Sequence, residues 1–254
     1  MAIGVARMFG IHLPLNFNSP YKATNIIDFW RCWHITLSRF LRDYLYISLG
    51  GNRTGDVRRN INILITMLLG GLWHGAGWTF ILWGGLHGVY LLINHTWRKF
   101  FRPPASFLGR FLGRTLTIFA VIVAWVPFRA ANLECTWHIL KAMLGINGFA
   151  IPSEYLKGLN QIPELEGVMF ALGVKFESLK YFDVYEPIVL LLLSLVVFIL
   201  PNSQQIVSAV SKTSNLFVCR FNVFWIILTW AMLTLSLIKM ELYDAQNNFI
   251  YFQF

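Results

Sequence analysis

Residues 61–97 carry no Asp, Glu, Lys or Arg. As a helix this stretch would run roughly 55 Å at about 1.5 Å per residue. One membrane span takes about 20 residues and two take about 40, so the stretch is too long for one span and tight for two. Its middle reads Gly70-Gly71-Leu72-Trp73-His74-Gly75-Ala76-Gly77, with Gly84-Gly85 following. Glycine there predicts a broken or closely packed backbone. Non-helical backbone at membrane depth is tolerated only inside protein or beside a water-filled cavity, which marks the stretch as a candidate site. Other apolar runs predict further spans. Thr115–Phe128 is short and bounded by Arg114 and Arg129. Pro187–Leu200 closes on Pro201, and Phe221–Ile238 is rich in Trp and Leu. The aromatic ending Phe249–Phe254 is expected to dock on the bundle or its interface. No internal repeat or low-complexity segment is visible.

Asp28–Tyr46 has a different pattern. On one continuous helix, Phe29, Trp33, Leu37, Phe40 and Tyr44 form an apolar face. Arg31, His34, Ser38 and Arg42 form a polar stripe at helical spacing. Arg39 and Asp43 stand at i, i+4 and are expected to pair. Two readings are open: an amphipathic helix on the cytoplasmic face, or a polar helix lining a cavity with His34 aimed into it. Leu49-Gly50-Gly51-Asn52-Arg53 predicts a tight turn. With Arg53, Arg58 and Arg59 beside it, that turn is also a weak candidate phosphate nest.

Composition gives these patterns a setting. Hydrophobic residues make up 56% of the 254, and charged residues only 13%. The mean hydropathy is +0.57. A soluble domain of that composition would expose large apolar patches, so an integral membrane protein is expected. The net charge of +9 gathers beside apolar runs rather than in one stripe, which argues against nucleic acid. Five basic residues and no acid lie in 97–114, against four lysines and seven acids in 132–186. The first loop is then cytoplasmic and the second external. Cys135–Leu144 within the second reads as an interfacial helix. Cys32, Cys135 and Cys219 lack metal or redox spacing. Met1–Gly10 shows no signal peptide and reads like the interior of a longer protein.

His74 is the leading chemical candidate. An ionisable side chain between apolar runs is costly and points to function, and histidine suits a general base near neutral pH. The bland alternative is a neutral histidine bonded between helices. His87 lies about 20 Å further along a straight helix and cannot share a metal with it there. The spacing matches two-haem membrane cytochromes, but His12, His34, His95 and His138 supply no second pair. His87 is therefore assigned a structural role, and no metal site is expected.

Phe29-Trp30-Arg31-Cys32-Trp33-His34-Ile35-Thr36-Leu37-Ser38 resembles the FWRRWHISLS signature of membrane-bound O-acyltransferases, with Cys32 at a common arginine position. Leu41–Arg53 resembles its continuation. Gly70–Ala76 with Trp78 resembles the catalytic-histidine motif, and Phe249–Phe254 the family's ending. Within the family the likeness is greatest to alginate O-acetyltransferase membrane subunits, with D-alanyl transfer proteins more distant.

The resemblance implies an all-α, polytopic transmembrane bundle with broken or re-entrant helices around a central tunnel, in a bacterial inner membrane. Residues 1–254 would be the C-terminal part of one such domain. Residues 15–60 would be the re-entrant motif region, 61–97 the catalytic-histidine helices, and 98–254 further spans with an extracytoplasmic loop near 132–186. The N-terminal half lies outside this chain, so the chain alone is expected to fold poorly or be inactive. The implied activity moves acetyl from cytoplasmic acetyl-CoA, a substrate rather than a bound cofactor, toward hydroxyls of an exported polysaccharide such as alginate. His74 would be the base. His34 would orient the donor or stabilise the oxyanion. Arg31 and Arg42 would steer the anionic donor, and Trp73 and Trp78 would wall the tunnel. An extracytoplasmic acetyltransferase partner is implied as well. D-alanyl or peptidoglycan O-acyl transfer, or a non-catalytic scaffold in an export complex, are the alternatives.

Overall fold

A computed structural model describes residues 2–101, 106–152, 174–177 and 185–205, with residues 168, 171, 227 and 230–235 as short pieces. The chain divides into two units, 1–200 and 201–254. In the second, Asn202 and Gln205 exchange hydrogen bonds between side chain and backbone. The ending Phe249–Phe254 and most of 221–238 lie outside the described residues.

The first unit is helical. A short helix α1 (Ala2–Met8) precedes α2 (Ile26–Cys32), α3 (Ile35–Phe40) and a π-helical stretch over Leu41–Tyr46. Then follow α4 (Asp56–His74), α5 (Trp78–Phe100), α6 (Phe107–Arg129) and α7 (Leu133–Met143). Strands β1 (Phe149–Pro152) and β2 (Val174–Glu177) form a short parallel pair, and α8 (Tyr185–Ile199) ends the unit.

The charge-free stretch lies within a helical hairpin that runs from Asp56 to Phe100. Helices α4 and α5 are joined by Gly75-Ala76-Gly77 and cross with their backbones in contact. A Cβ on Gly71 would lie 2.3 Å from the Phe80 carbonyl oxygen, and one on Gly84 would lie 2.3 Å from that of Met67. Small residues at the crossing permit this approach, as they do between membrane helices generally. At the open end of the hairpin, Lys99 and Arg59 both pair with Asp56, and Arg98 lies 3.7 Å from Asp28. The Lys99 ammonium, hydrogen-bonded to Asp56, holds that carboxyl below the usual carboxylate range.

Among the described residues, one helix, Phe107–Arg129, is long and apolar enough to cross a membrane by itself, with mean hydropathy 1.8. It starts before the expected Thr115, because Ser106 caps it by accepting from Gly109 N–H at 3.1 Å. Arg110 and Arg114 ride on its early turns. Helices α4 and α5 are less apolar, because α4 carries Arg58, Arg59, Asn60 and Asn62 and α5 carries His87, Asn94, His95, Arg98 and Lys99.

Residues 26–51 run along the hairpin and back. Asp28 sits by Arg98 at the open end, and Trp30 bonds to His87 further in. Leu41 then packs over Gly70, and the Gly51 carbonyl accepts from Asn62 Nδ2 at 2.9 Å on the return. The core gathers where this segment meets the helices: Ile26, Phe29, Trp30, Ile63, Met67, Trp83, Val121 and Ala124. Asp28–Tyr46 is therefore not the single helix its periodicity predicts. Trp33 is extended and His34 left-handed (φ 42°, ψ 55°), which splits it. Phe40 and Tyr44 consequently turn outward, whereas Leu41 is buried. Asp43 pairs with Arg42 at 2.7 Å rather than with Arg39.

Asn62 is fully buried and holds the 49–53 turn through Gly51, whose φ of 57° suits glycine. Asn62→Leu should leave the Gly51 carbonyl unpaired, at a cost of about 1–3 kcal/mol. Trypsin cleavage at Arg53 in the complete protein should then accelerate, and an unchanged rate would refute this anchoring.

Candidate active site

His74 is the last residue of α4, where the chain leaves the helix into Gly75-Ala76-Gly77. Three aromatic rings surround its imidazole, with centroids at 5.1 Å (Trp73), 5.1 Å (Trp83) and 5.2 Å (Phe128). Phe128 is contributed by the far end of α6, so the site joins two separate parts of the chain. His34 stands at the α2–α3 break, close enough to His74 for their charges to interact. Its ring lies 6.1 Å from that of Phe17. Its Nδ1 is buried and has no hydrogen-bond partner among the described residues. Two histidines far apart in sequence, each at a break in a helix, thus lie within electrostatic range of each other.

His87 is elsewhere and differently employed. It is 1% exposed, and its Nδ1 accepts from Trp30 Nε1–H at 3.3 Å. The rings of Trp83 and Tyr90 pack on it at 5.0 and 5.9 Å. The structural role assigned to His87 from the sequence matches this buried bond to Trp30. Trp83 touches both His74 and His87. Among the described residues, no cluster of three or more His, Cys, Asp or Glu is arranged to hold a metal.

The remaining candidates lie further out. Arg31 pairs with Asp28 at 3.2 Å and Arg42 with Asp43 at 2.7 Å, and all four side chains are exposed. Trp73 and Trp78 are 64% and 72% exposed, although the Trp73 ring also contacts His74. Sequence reasoning did not single out Trp83 or Phe128, which give His74 its surroundings. Their positions follow from the hairpin crossing and the docking of α6, and neither can be read from local spacing. Asn16 was missed too. Its side-chain oxygen accepts from Thr36 N–H at 3.1 Å and Thr36 Oγ1 at 2.9 Å, directly beyond His34.

Every one of these residues falls within the part of the chain matched by the family model of membrane-bound O-acyltransferases, residues 1–137. The chain belongs to this family. Its similarity to characterised members is high. It is 47% identical over 177 residues to the peptidoglycan O-acetyltransferase of Helicobacter pylori, covering 67% of this chain and 34% of that protein. It is 48% identical over 182 residues to the probable alginate O-acetylase AlgI of Pseudomonas aeruginosa, covering 72% and 34% respectively. The teichoic acid D-alanyltransferase of Streptococcus thermophilus is more distant, at 35% over 105 residues, 39% of this chain and 25% of that protein. The chain spans about a third of the length of the first two relatives.

Proposed function

We propose that this chain carries the active-site histidines of a multi-pass bacterial inner-membrane O-acyltransferase that moves acetyl from acetyl-CoA toward hydroxyls of an exported polysaccharide. The supporting observation is His74 at the closed end of the glycine-crossed hairpin, ringed by Trp73, Trp83 and Phe128, with His34 within electrostatic range. A sugar hydroxyl is a weak nucleophile until a base removes its proton. His74 takes that proton as the hydroxyl oxygen bonds to the thioester carbonyl carbon. The carbon–sulfur bond then breaks, and the imidazolium returns the proton to the departing thiolate. His34 orients the thioester or stabilises the oxyanion that forms on its carbonyl oxygen.

Topology fits a donor arriving from the cytoplasm. Arg98 and Lys99 mark the basic, open end of the hairpin, which is its cytoplasmic end by loop charge. Helix α4 carries His74 roughly 28 Å away from that end. Arg31 and Arg42 steer the anionic donor from exposed positions. Trp73 and Trp78 form part of the wall of a tunnel between the two membrane faces. An extracytoplasmic acetyltransferase is the protein's proposed partner at the outer face.

The names of the relatives divide the acceptor between alginate, peptidoglycan and, more distantly, D-alanylated teichoic acid, and we favour an alginate-like exopolysaccharide. The complete protein, reconstituted in lipid vesicles with radiolabelled acetyl-CoA, should release free CoA and label an alginate oligosaccharide. Label on peptidoglycan fragments instead would move the acceptor. No CoA release with any hydroxyl acceptor, alongside activity with a D-alanyl donor, would overturn the acetyl reading.

A further inference from the structure

His34 holds a backbone conformation that its side chain does not favour. Non-glycine residues with left-handed φ are uncommon and persist only where surrounding structure holds them. Among the described residues, only Ser19 and His34 are non-glycine residues with positive φ. His34 also occupies the N-cap position of α3, where Ser, Thr, Asp or Asn would ordinarily accept from the first free N–H groups. It makes no such bond.

Asn16 supplies what His34 does not. Its backbone carbonyl accepts from Ile35 N–H at 2.9 Å. Its Oδ1 accepts from Thr36 N–H at 3.1 Å and from Thr36 Oγ1 at 2.9 Å. Two residues on, Asn18 N–H donates to the Cys32 carbonyl at 2.9 Å, at the other side of the break. Ser38 Oγ reaches back to the carbonyls of Trp30 at 3.1 Å and Trp33 at 3.3 Å. The break is thus bound on both sides, and the helix beyond it is capped from outside its own sequence.

We infer that Asn16 is a positioning residue for His34: by capping α3 in place of the residue at the cap position, it frees that position for an imidazole and fixes the left-handed turn that sets where the ring sits. The role in turnover rests on the proposed acyltransferase reading, but the clamp on the His34 turn does not. Loss of Oδ1 leaves the Thr36 N–H and hydroxyl unpaired and lets the turn relax toward ordinary φ, which moves the ring. Displacements of about 1 Å in catalytic groups can lower rates roughly 10²-fold.

The test uses the complete protein in membranes, with Asn16→Ala, Asn16→Asp and Thr36→Val at matched abundance. Asn16→Ala should lower kcat roughly 10²-fold with little change in KM for acetyl-CoA. Asn16→Asp keeps an acceptor oxygen of equal capping strength and should retain most turnover. Thr36→Val removes only the hydroxyl bond and should cost several-fold. In a His34→Ala background, Asn16→Ala should cause no further fall, because the two act as one unit. Independently of activity, diethyl pyrocarbonate labelling read by mass spectrometry should show modification of His34 relative to His74 rising several-fold in Asn16→Ala and not in Asn16→Asp. Wild-type turnover in Asn16→Ala, an additional fall in the His34→Ala background, or an unchanged labelling ratio would each overturn the proposal. If the wild-type protein transfers no acyl group, the catalytic reading fails, while the labelling ratio still decides whether Asn16 sets the His34 turn.

Discussion

Alanine at His74 is expected to lower acyl transfer by the complete protein about 10²–10⁴-fold, the usual contribution of a general base. Membrane abundance should not change. The imidazole sits at the end of α4, and its contacts are with the faces and edges of Trp73, Trp83 and Phe128. Removing it costs ring contacts at a half-buried position rather than a buried hydrogen-bond network. Single-turnover release of CoA from acetyl-CoA, with acceptor in excess, isolates the chemical step. His74→Gln should be as inactive as alanine, since an amide fills much of the space but takes no proton near neutral pH. Wild-type rates in either variant would exclude His74 as the base and favour a scaffold role for this hairpin. The same substitution at His87 should give a different phenotype. His87 is buried and accepts from Trp30, so its loss should first reduce folded protein, with activity falling in proportion.

The different settings of these two histidines are legible in the sequence. His74 stands in the glycine-rich stretch between apolar runs, whereas His87 has no second histidine pair to give it chemistry. The break in the charge-free stretch is legible too, since residues 61–97 are too long for one span and are divided by glycines. The motif segment was less so. Periodicity over Asp28–Tyr46 assumes one continuous helix, and it cannot detect two residues of non-helical backbone. That break is held by Asn16 and Asn18, contacts that local spacing does not encode. Beyond the break, the i→i+5 winding of Leu41–Tyr46 shifts the phase again. Phe40 and Tyr44 therefore face outward and touch each other, with ring centroids 4.9 Å apart, although the pattern assigned them to the buried face. The Arg39–Asp43 pair fails for the same geometric reason. Helix α6 differs in the other direction: it begins at Phe107, so Arg110 and Arg114 lie within it, as long basic side chains can near the ends of membrane helices.

A side chain at Gly84 should be among the most disruptive single changes in the hairpin, matched by one at Gly71. Its Cβ would lie 2.3 Å from the Met67 carbonyl oxygen and 3.3 Å from the Gly71 Cα. Neither atom belongs to a flexible side chain that could swing aside, so α4 and α5 must separate. Overpacking a well-packed site usually costs about 1–3 kcal/mol. Relief here needs movement of whole helices, so Gly84→Val should exceed that range and consume a large part of a typical net stability of about 5–15 kcal/mol. Loss of folded protein from the membrane and a lowered Tm in detergent should follow. Gly85→Ala is the control on the neighbouring residue, because its Cβ would meet Leu68 Cδ2 at 3.6 Å, an ordinary contact. Gly71→Ala should resemble Gly84→Ala, since its Cβ would lie 2.3 Å from the Phe80 carbonyl oxygen and 3.3 Å from the Gly84 Cα. The double variant should cost less than the sum of the two, because the first substitution already parts the helices where the second would clash. Simple additivity would mean that the two glycines do not share one crossing point. Separation at this crossing would also disturb catalysis, because Trp83 precedes Gly84 and packs on His74. In the fraction of Gly84→Ala that remains folded, kcat should therefore fall along with Tm, whereas Gly85→Ala should leave both near wild type.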